Sequence, residues 1–329
     1  MKYAYYPGCS SAGTGVEFEL SGKYVAKKIG MELKEIPDWN CCGASAAHLT
    51  NHDLSIALPA RNLALAEDMN LDIAVPCAAC FNRMKNAVKY VRESEANQKH
   101  IENILEMPYQ AKNDVFCLLD VMSRPEAIDV IKAKISKPLN GLHVASYYGC
   151  LLVRPAGVCE FDDTENPQSM DKLMELIGAT PVDWAFKTEC CGASHQVAAP
   201  KVGREMIYRI VKNAVNNGAE AIATACPLCM LNLDMRMKEM AKRDPRFSIP
   251  VYFFTEILAM ALGAKAKDIG LQKHFFPATE VIEKALIPKP VKMASAKKPA
   301  AKAVANKAAA PKAEAGAQTE NVKDGGETA

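Results

Sequence analysis

The chain has 329 residues, 49% of them hydrophobic, and a formal net charge of +2. That length holds one large domain or two ordinary ones, and the near-neutral charge gives no electrostatic case for binding nucleic acid. No N-terminal stretch reads as a signal peptide, because MKYAYYPGCS moves straight from a short apolar run to a cysteine. A cytoplasmic location is therefore expected, where the 12 cysteines stay reduced. The longest apolar run, Val251 to Leu262, is broken by Thr255 and Glu256, so no direct membrane span is expected.

Strands and helices alternate along the chain. Lys2–Tyr6 reads as a strand, Gly15–Ile29 as a helix and Met31–Ile36 as a strand. Leu54–Met69 reads as a helix with Asp53 as its N-cap, and Leu71–Val75 as a strand running into Pro76-Cys77. The segment from Lys85 to Lys137 reads as mainly helical, punctuated by Pro108, Pro125 and Pro138. The order then repeats: Leu142–Tyr148 (strand), Pro167–Ile177 (helix), Thr180–Trp184 (strand), Val202–Asn216 (helix) and Ala221–Ala225 (strand). The expected fold class is α/β: two pseudo-repeated domains with short parallel sheets and flanking helices. Their expected limits are 1–140 and 141–287. Residues 288–329 are rich in Ala, Lys and Pro and almost devoid of large apolar side chains, so a disordered tail is expected there.

Ten cysteines carry the repeat. Cys9, Cys41-Cys42-Gly43 and Cys77-x-x-Cys80 form one set; Cys150, Cys190-Cys191-Gly192 and Cys226-x-x-Cys229 form the other. Cys77 follows Cys42 by 35 positions and Cys226 follows Cys191 by the same 35. Local words recur as well: YYPGC and YYGC, NCCGASAAH and ECCGASHQ, VPCAAC and TACPLC. Cys9, Cys77, Cys150 and Cys226 each follow a predicted strand, where open α/β sheets bind ligands. Each set is thus expected to converge at one end of its sheet, with the two repeats facing each other.

Five thiols per repeat exceed the four that a closed zinc site or an ordinary cubane cluster requires. A vicinal pair matches a larger inorganic core, where neighbouring thiols reach different irons. Gly43 and Gly192 let the backbone turn sharply beside it. Zinc in one or both sites is the alternative and leaves one cysteine per set unused.

The spacings Cys-x31-Cys-Cys-Gly-x33-Cys-x2-Cys and Cys-x39-Cys-Cys-Gly-x33-Cys-x2-Cys resemble the CCG (cysteine-rich) domain of the B-type subunit of heterodisulfide reductase. The resemblance covers about residues 1–285. It implies two noncubane [4Fe-4S] clusters, one on Cys9, Cys41, Cys42, Cys77 and Cys80, the other on Cys150, Cys190, Cys191, Cys226 and Cys229. It also implies reductive cleavage of a disulfide between them, of the coenzyme M–coenzyme B type or a related small disulfide or thiol. The chain has no ferredoxin-type cysteine run and no GxGxxG unit. By resemblance, electrons would come from a ferredoxin-like C-type subunit and a flavin-bearing A-type subunit. The competing functions are an electron-transfer subunit of another anaerobic redox complex, of the lactate-utilisation type, and a zinc-stabilised interaction module.

Other residues carry weaker signals. His195 is a candidate proton donor to a product thiolate, as is His48; ordinary hydrogen-bonded histidines are the other reading. Arg61, Arg154 and Arg204 are candidate anion binders or simple ion-pair partners. Trp39 and Trp184 are expected as hydrophobic covers over the thiol sets. Cys117 is expected as a buried apolar residue in a helix, Cys159 as a spare thiol or a packed one, and the methionines of MLNLDMRMKEM as core or subunit contacts.

Overall fold

The computed structural model describes residues 1–44 and 46–288; the segment beyond, expected as a tail, lies outside the described residues. The alternation seen in the sequence produces two four-stranded sheets. The first contains β1 (Lys2–Tyr5), β2 (Glu32–Glu35), β3 (Ile73–Val75) and β4 (Val115–Cys117) in the order β2-β1-β3-β4. The second contains β5 (His143–Tyr147), β6 (Thr180–Pro181), β7 (Ala221–Thr224) and β8 (Val251–Phe253) in the order β6-β5-β7-β8. Every pairing is parallel. The short central strands β3 and β7 are fully buried, as strands covered by helices on both faces must be.

In each sheet the chain runs β1 to β2 (or β5 to β6) outward, then crosses to the other side. The switch therefore falls between β1 and β3 and between β5 and β7, where the carboxyl ends of the strands leave a crevice. The loops that follow β1, β3, β5 and β7 carry Cys9, Cys77, Cys150 and Cys226.

The sheets belong to one compact body, joined by a reciprocal exchange of helices. Helix Val16–Ile29, which follows β1, packs on helix Phe254–Ala261, which follows β8. Helix Ser169–Leu176 packs in the same way on helix Leu118–Ser123, which follows β4. At the first contact Phe18 stacks on Phe253 with ring centroids 4.3 Å apart, and the hydroxyls of Ser21 and Thr255 meet at 2.6 Å.

Two strands, β4 and β8, go beyond the sequence reading. Residues 115–117 form β4 rather than part of a helix, and Cys117 closes the strand. Its buried thiol accepts from Asp120 N–H at 3.3 Å and caps the helix that follows. The apolar run from Val251 likewise divides into β8 and a helix. A three-residue buried strand abutting an apolar helix has no period of its own, so the two merge in the sequence. Asn51, not Asp53, caps helix His52–Asp68: its side chain accepts from Leu54 N–H at 3.0 Å. Asp53 instead faces His100 at 3.1 Å on the surface. The strand expected over Thr180–Trp184 stops at Pro181, and helix Pro200–Asn216 starts two residues early, on a proline suited to the first helical position.

A buried acid–base cluster fixes the last described segment to the second repeat. Glu256 is fully buried; it accepts from Phe253 N–H at 2.8 Å and contacts His274 Nε2 at 2.8 Å. Asp234, on helix Pro227–Arg243, accepts from Phe275 and Phe276 N–H at 2.7 and 3.1 Å. Burial alone would lower the pKa of His274, but Glu256, with Asp234 and Glu17, more than reverses this and raises it above 6.5. Burial also raises the carboxyls of Glu17 and Asp234. All three shifts have the same sign: the folded protein holds protons that the unfolded chain releases. The His274 contribution is complete below pH 6.5 and is lost as pH rises through its raised folded value. Thermal denaturation at a series of pH values is expected to show a falling Tm across that window, and His274→Gln is expected to flatten it. Glu256→Ala, which orphans the ring, is expected to cost about 3–5 kcal/mol.

Candidate metal centre

The cysteine sets do converge at the carboxyl ends of the sheets, and their side chains pair by one rule in both repeats. The first cysteine meets the first of the vicinal pair: Cys9 with Cys41, and Cys150 with Cys190. The second of the vicinal pair meets the second of the Cys-x-x-Cys unit: Cys42 with Cys80, sulfur to sulfur 3.1 Å, and Cys191 with Cys229. Adjacent cysteines thus reach different partners. The remaining two, Cys77 and Cys226, contact each other across the repeats, and each also contacts the other cysteine of its own unit. From Cys42 to Cys191, six thiols form one continuous chain through both halves. Among the described residues no three His, Cys, Asp or Glu side chains close on a single point as the ligands of one metal ion.

Local geometry explains the placement. Cys77 and Cys226 are the N-cap residues of helices Ala78–Glu93 and Pro227–Arg243, so Cys80 and Cys229 lie in the first turn. Free backbone N–H groups and the helix dipole favour thiolate there. Gly43 and Gly192 share φ +71°, a left-handed conformation that turns the chain back over the vicinal pair. Their N–H groups donate to Cys41 and Cys190 at 3.4 and 3.3 Å. A Cβ on Gly43 would lie 2.7 Å from Ala47 Cβ, and one on Gly149 would lie 3.0 Å from the Cys229 sulfur.

The thiols are not alike electrostatically. Contact with Cys80 lowers Cys42 to about 7 despite its burial. Contact with Cys150, with help from Gly192 N–H and the charge of His195, lowers Cys190 to about 6. Cys80, Cys150 and Cys229 are raised, each by a partner thiol and by burial. Cys191 and Cys226 are lowered as well, by contact with Cys229, so three of the contacts, Cys42 with Cys80, Cys190 with Cys150 and Cys191 with Cys229, each pair one lowered thiol with one raised thiol.

Two tyrosines support the sets, and the sequence showed them only as part of the recurring words. Tyr6 and Tyr147 each stand three residues before the first cysteine. Tyr6 Oη donates to the Asn40 carbonyl at 2.9 Å and Tyr147 Oη to the Glu189 carbonyl at 2.6 Å, in each case just before the vicinal pair. Trp39 packs edge-on against Tyr6, with centroids 5.5 Å apart, and Trp184 lies against Tyr147 at 6.1 Å. The tryptophans thus cover the tyrosines that brace the thiol loops.

A cavity of about 400 Å³ opens on the second set. All five of its cysteines line it, and the first repeat supplies the facing wall, including His48, Ala78 and Arg83. A larger surface cleft of about 670 Å³, beside Ser136–Pro138, contains no thiol. His48 and His195 are both exposed; His48 lines the cavity from the opposite repeat, whereas His195 does not line it and lies near Cys190. Arg61, Arg154 and Arg204 are paired with Asp38, Glu165 and Glu239. Cys159 is buried and accepts from Asn82 Nδ2 at 3.4 Å, joining the repeats. In MLNLDMRMKEM, Met230, Met237 and Met240 are core residues while Met235 is exposed.

Residues 3–85 and 144–234 each match the CCG cysteine-rich domain, and together they make up more than half of the chain. The chain belongs to the CCG cysteine-rich domain family. It is 31% identical over 284 residues to the 8-methylmenaquinol:fumarate reductase membrane anchor subunit of Wolinella succinogenes, covering 85% of this chain and 99% of that one. It is 26% identical over 290 residues to the B-type subunit of the ferredoxin:CoB-CoM heterodisulfide reductase of Methanosarcina mazei, covering 86% and 96%. The fold also resembles the crystal structure of a hypothetical protein from Helicobacter pylori, with a TM-score of 0.67 and 13% identity, covering 84% of this chain and 52% of that one. Among the described residues no helix is long and apolar enough to cross a membrane.

The glycine after the CCG pair gives a direct test. Gly43→Ala combines a left-handed φ with a Cβ clash and is expected to destabilise the protein by about 1–3 kcal/mol. Gly13→Ala, where a Cβ meets nothing within 4 Å, is the control. Equal Tm losses for the two would refute the turn's role.

Proposed function

We propose that the chain is the catalytic iron–sulfur subunit of a heterodisulfide-reductase-like complex, cleaving a small disulfide reductively beside two noncubane [4Fe-4S] clusters. The observation that carries this reading is the ten-thiol arrangement: two five-thiol sets paired by the same rule, linked through Cys77 and Cys226, with a cavity on one flank. The donor set fits such groups. Vicinal thiols diverge to separate partners, N–H groups point at Cys41 and Cys190, and the Gly149 backbone leaves room at the Cys229 sulfur.

Cys9, Cys41, Cys42, Cys77 and Cys80 would hold one cluster, and Cys150, Cys190, Cys191, Cys226 and Cys229 the other. Bound there, the clusters supply one-electron redox chemistry and iron that accepts thiolate sulfur. The reaction takes RSSR′, two electrons and two protons to RSH and R′SH. The electrons come from partner subunits, a ferredoxin-like protein and a flavoprotein. This chain contributes the apolar walls that exclude water, and His48 stands at the cavity to deliver a proton to a leaving thiolate. His195, which does not line the cavity, would support Cys190 by charge.

Protein prepared without oxygen is expected to carry about eight irons, from two four-iron clusters, and to consume an added disulfide when reduced. Cys226→Ser is expected to remove about half the iron and all of the cleavage. Stoichiometric zinc with no iron would sink the proposal.

The similarity to the fumarate reductase membrane anchor subunit, over 99% of that protein, favours a second reading: an electron-transfer subunit of another redox complex that anchors its partners at a membrane. That reading predicts iron and membrane association with no disulfide turnover.

A further inference from the structure

The wall of the thiol cavity carries one arginine. Arg83 lies on helix Ala78–Glu93, three residues beyond Cys80, and belongs to the first repeat, yet it lines the cavity with the five thiols of the second. Its Nε is buried and has no hydrogen-bond partner among the described residues. Among those residues no Asp or Glu lines the cavity. A guanidinium cannot shed its proton, so a buried donor of this kind is costly until an acceptor reaches it.

Arg236 Nε is also buried without a partner among the described residues, but that guanidinium donates to Gln196 Oε1 at 3.4 Å and does not line the cavity. Arg61, Arg154 and Arg204 are already satisfied by carboxylates. The position matching Arg83 in the second repeat is Asn232, which donates to the Cys191 carbonyl at 2.7 Å and so serves the frame. The scaffold repeats, and the cation does not. Around Arg83 the cavity wall is largely apolar, with Ala44, Leu49, Ala78, Ala79, Leu151 and Leu228.

From this placement we infer that Arg83 is the specificity-determining residue of the cavity: it binds an oxyanion, a carboxylate, sulfonate or phosphate, at one end of a ligand whose apolar body and sulfur lie toward the thiols. The planar fork of Arg suits two-point binding of such a group, and a neutral ligand leaves the donor unpaired. The inference rests on the proposal that the ligand is a small sulfur compound.

The test uses the iron-loaded protein and three probes: bis(2-sulfoethyl) disulfide, bis(2-hydroxyethyl) disulfide and the non-reducible ethanesulfonate. Titration calorimetry of the oxidised protein is expected to show the disulfonate binding about 10-fold or more tighter than the neutral diol, with ethanesulfonate competing against it. Arg83→Gln is expected to erase that preference while iron content and cluster potentials stay as in the wild type. Arg83→Lys is expected to keep part of it. Should Arg83→Gln lose iron, the wild-type preference and its weakening in Arg83→Lys decide the matter. Equal affinity of the wild type for the charged and neutral disulfides would overturn the inference. So would an Arg83→Gln protein with shifted potentials and an intact preference, since Arg83 would then serve only to balance thiolate charge. Binding through Arg83 without cleavage would refute disulfide reduction and leave the anion site standing. Cleavage of both disulfides at wild-type efficiency by Arg83→Gln would do the reverse.

Discussion

The contact between Cys77 and Cys226 is the constraint on which the rest of the site depends. Each of these residues caps a helix that follows a fully buried central strand, β3 or β7. A side chain in that position has little freedom, because strand, cap and helix are all set by the packed interior. For the two sulfurs to meet, the carboxyl ends of both sheets must face each other. The reciprocal helix exchange holds them there: Phe18 on Phe253 on one side, helix Ser169–Leu176 on helix Leu118–Ser123 on the other. Neither sheet could shift against its neighbour without breaking a buried helix contact.

The same geometry explains why a vicinal Cys-Cys pair recurs. Residues 41–42 and 190–191 lie in loops rather than strands, braced from below by Tyr6 and Tyr147 and turned back at Gly43 and Gly192. Successive side chains in such a turn diverge, so Cys42 and Cys191 face inward to the Cys-x-x-Cys units while Cys41 and Cys190 face Cys9 and Cys150. A single ion would need its ligands to converge. Diverging neighbours suit an extended core, and burial of such a core favours thiolates backed by N–H donors over isolated charges.

Much of this is legible in the amino-acid order. The matched spacing of the cysteines and their position after predicted strands imply both the repeat and the face on which it acts, because the strand–loop–helix order alone decides where such residues emerge. β4 and β8 are not legible: Val115–Cys117 and Val251–Phe253 are apolar throughout and continue into apolar helices, so neither period stands out. Asn51 displaces Asp53 as a cap because both are good caps two residues apart, and only the course of the backbone chooses between them. Arg83 carries a faint signal, a cation in the first repeat where the second has Asn232, but its meaning depends on which repeat's thiols it faces. That is a matter of tertiary packing and has no local signature.

Symmetry of the frame and asymmetry of the cavity then make one argument. Duplication gives two matching thiol sets, and on the proposed function a substrate with two different ends would need a site that distinguishes them. On the proposed function that distinction would arise where the repeats differ: His48 and Arg83 line the cavity of the second set from the first repeat, and His195 does not line it. The rigid, buried elements keep the sulfurs in place, and the residues that differ between the halves sit at the cavity wall, where a substitution changes what is recognised with little effect on the fold. On the proposed function a duplicated metal frame would keep its redox chemistry while its ligand changes, and the relatives of this chain include proteins named for heterodisulfide reduction and for fumarate reduction.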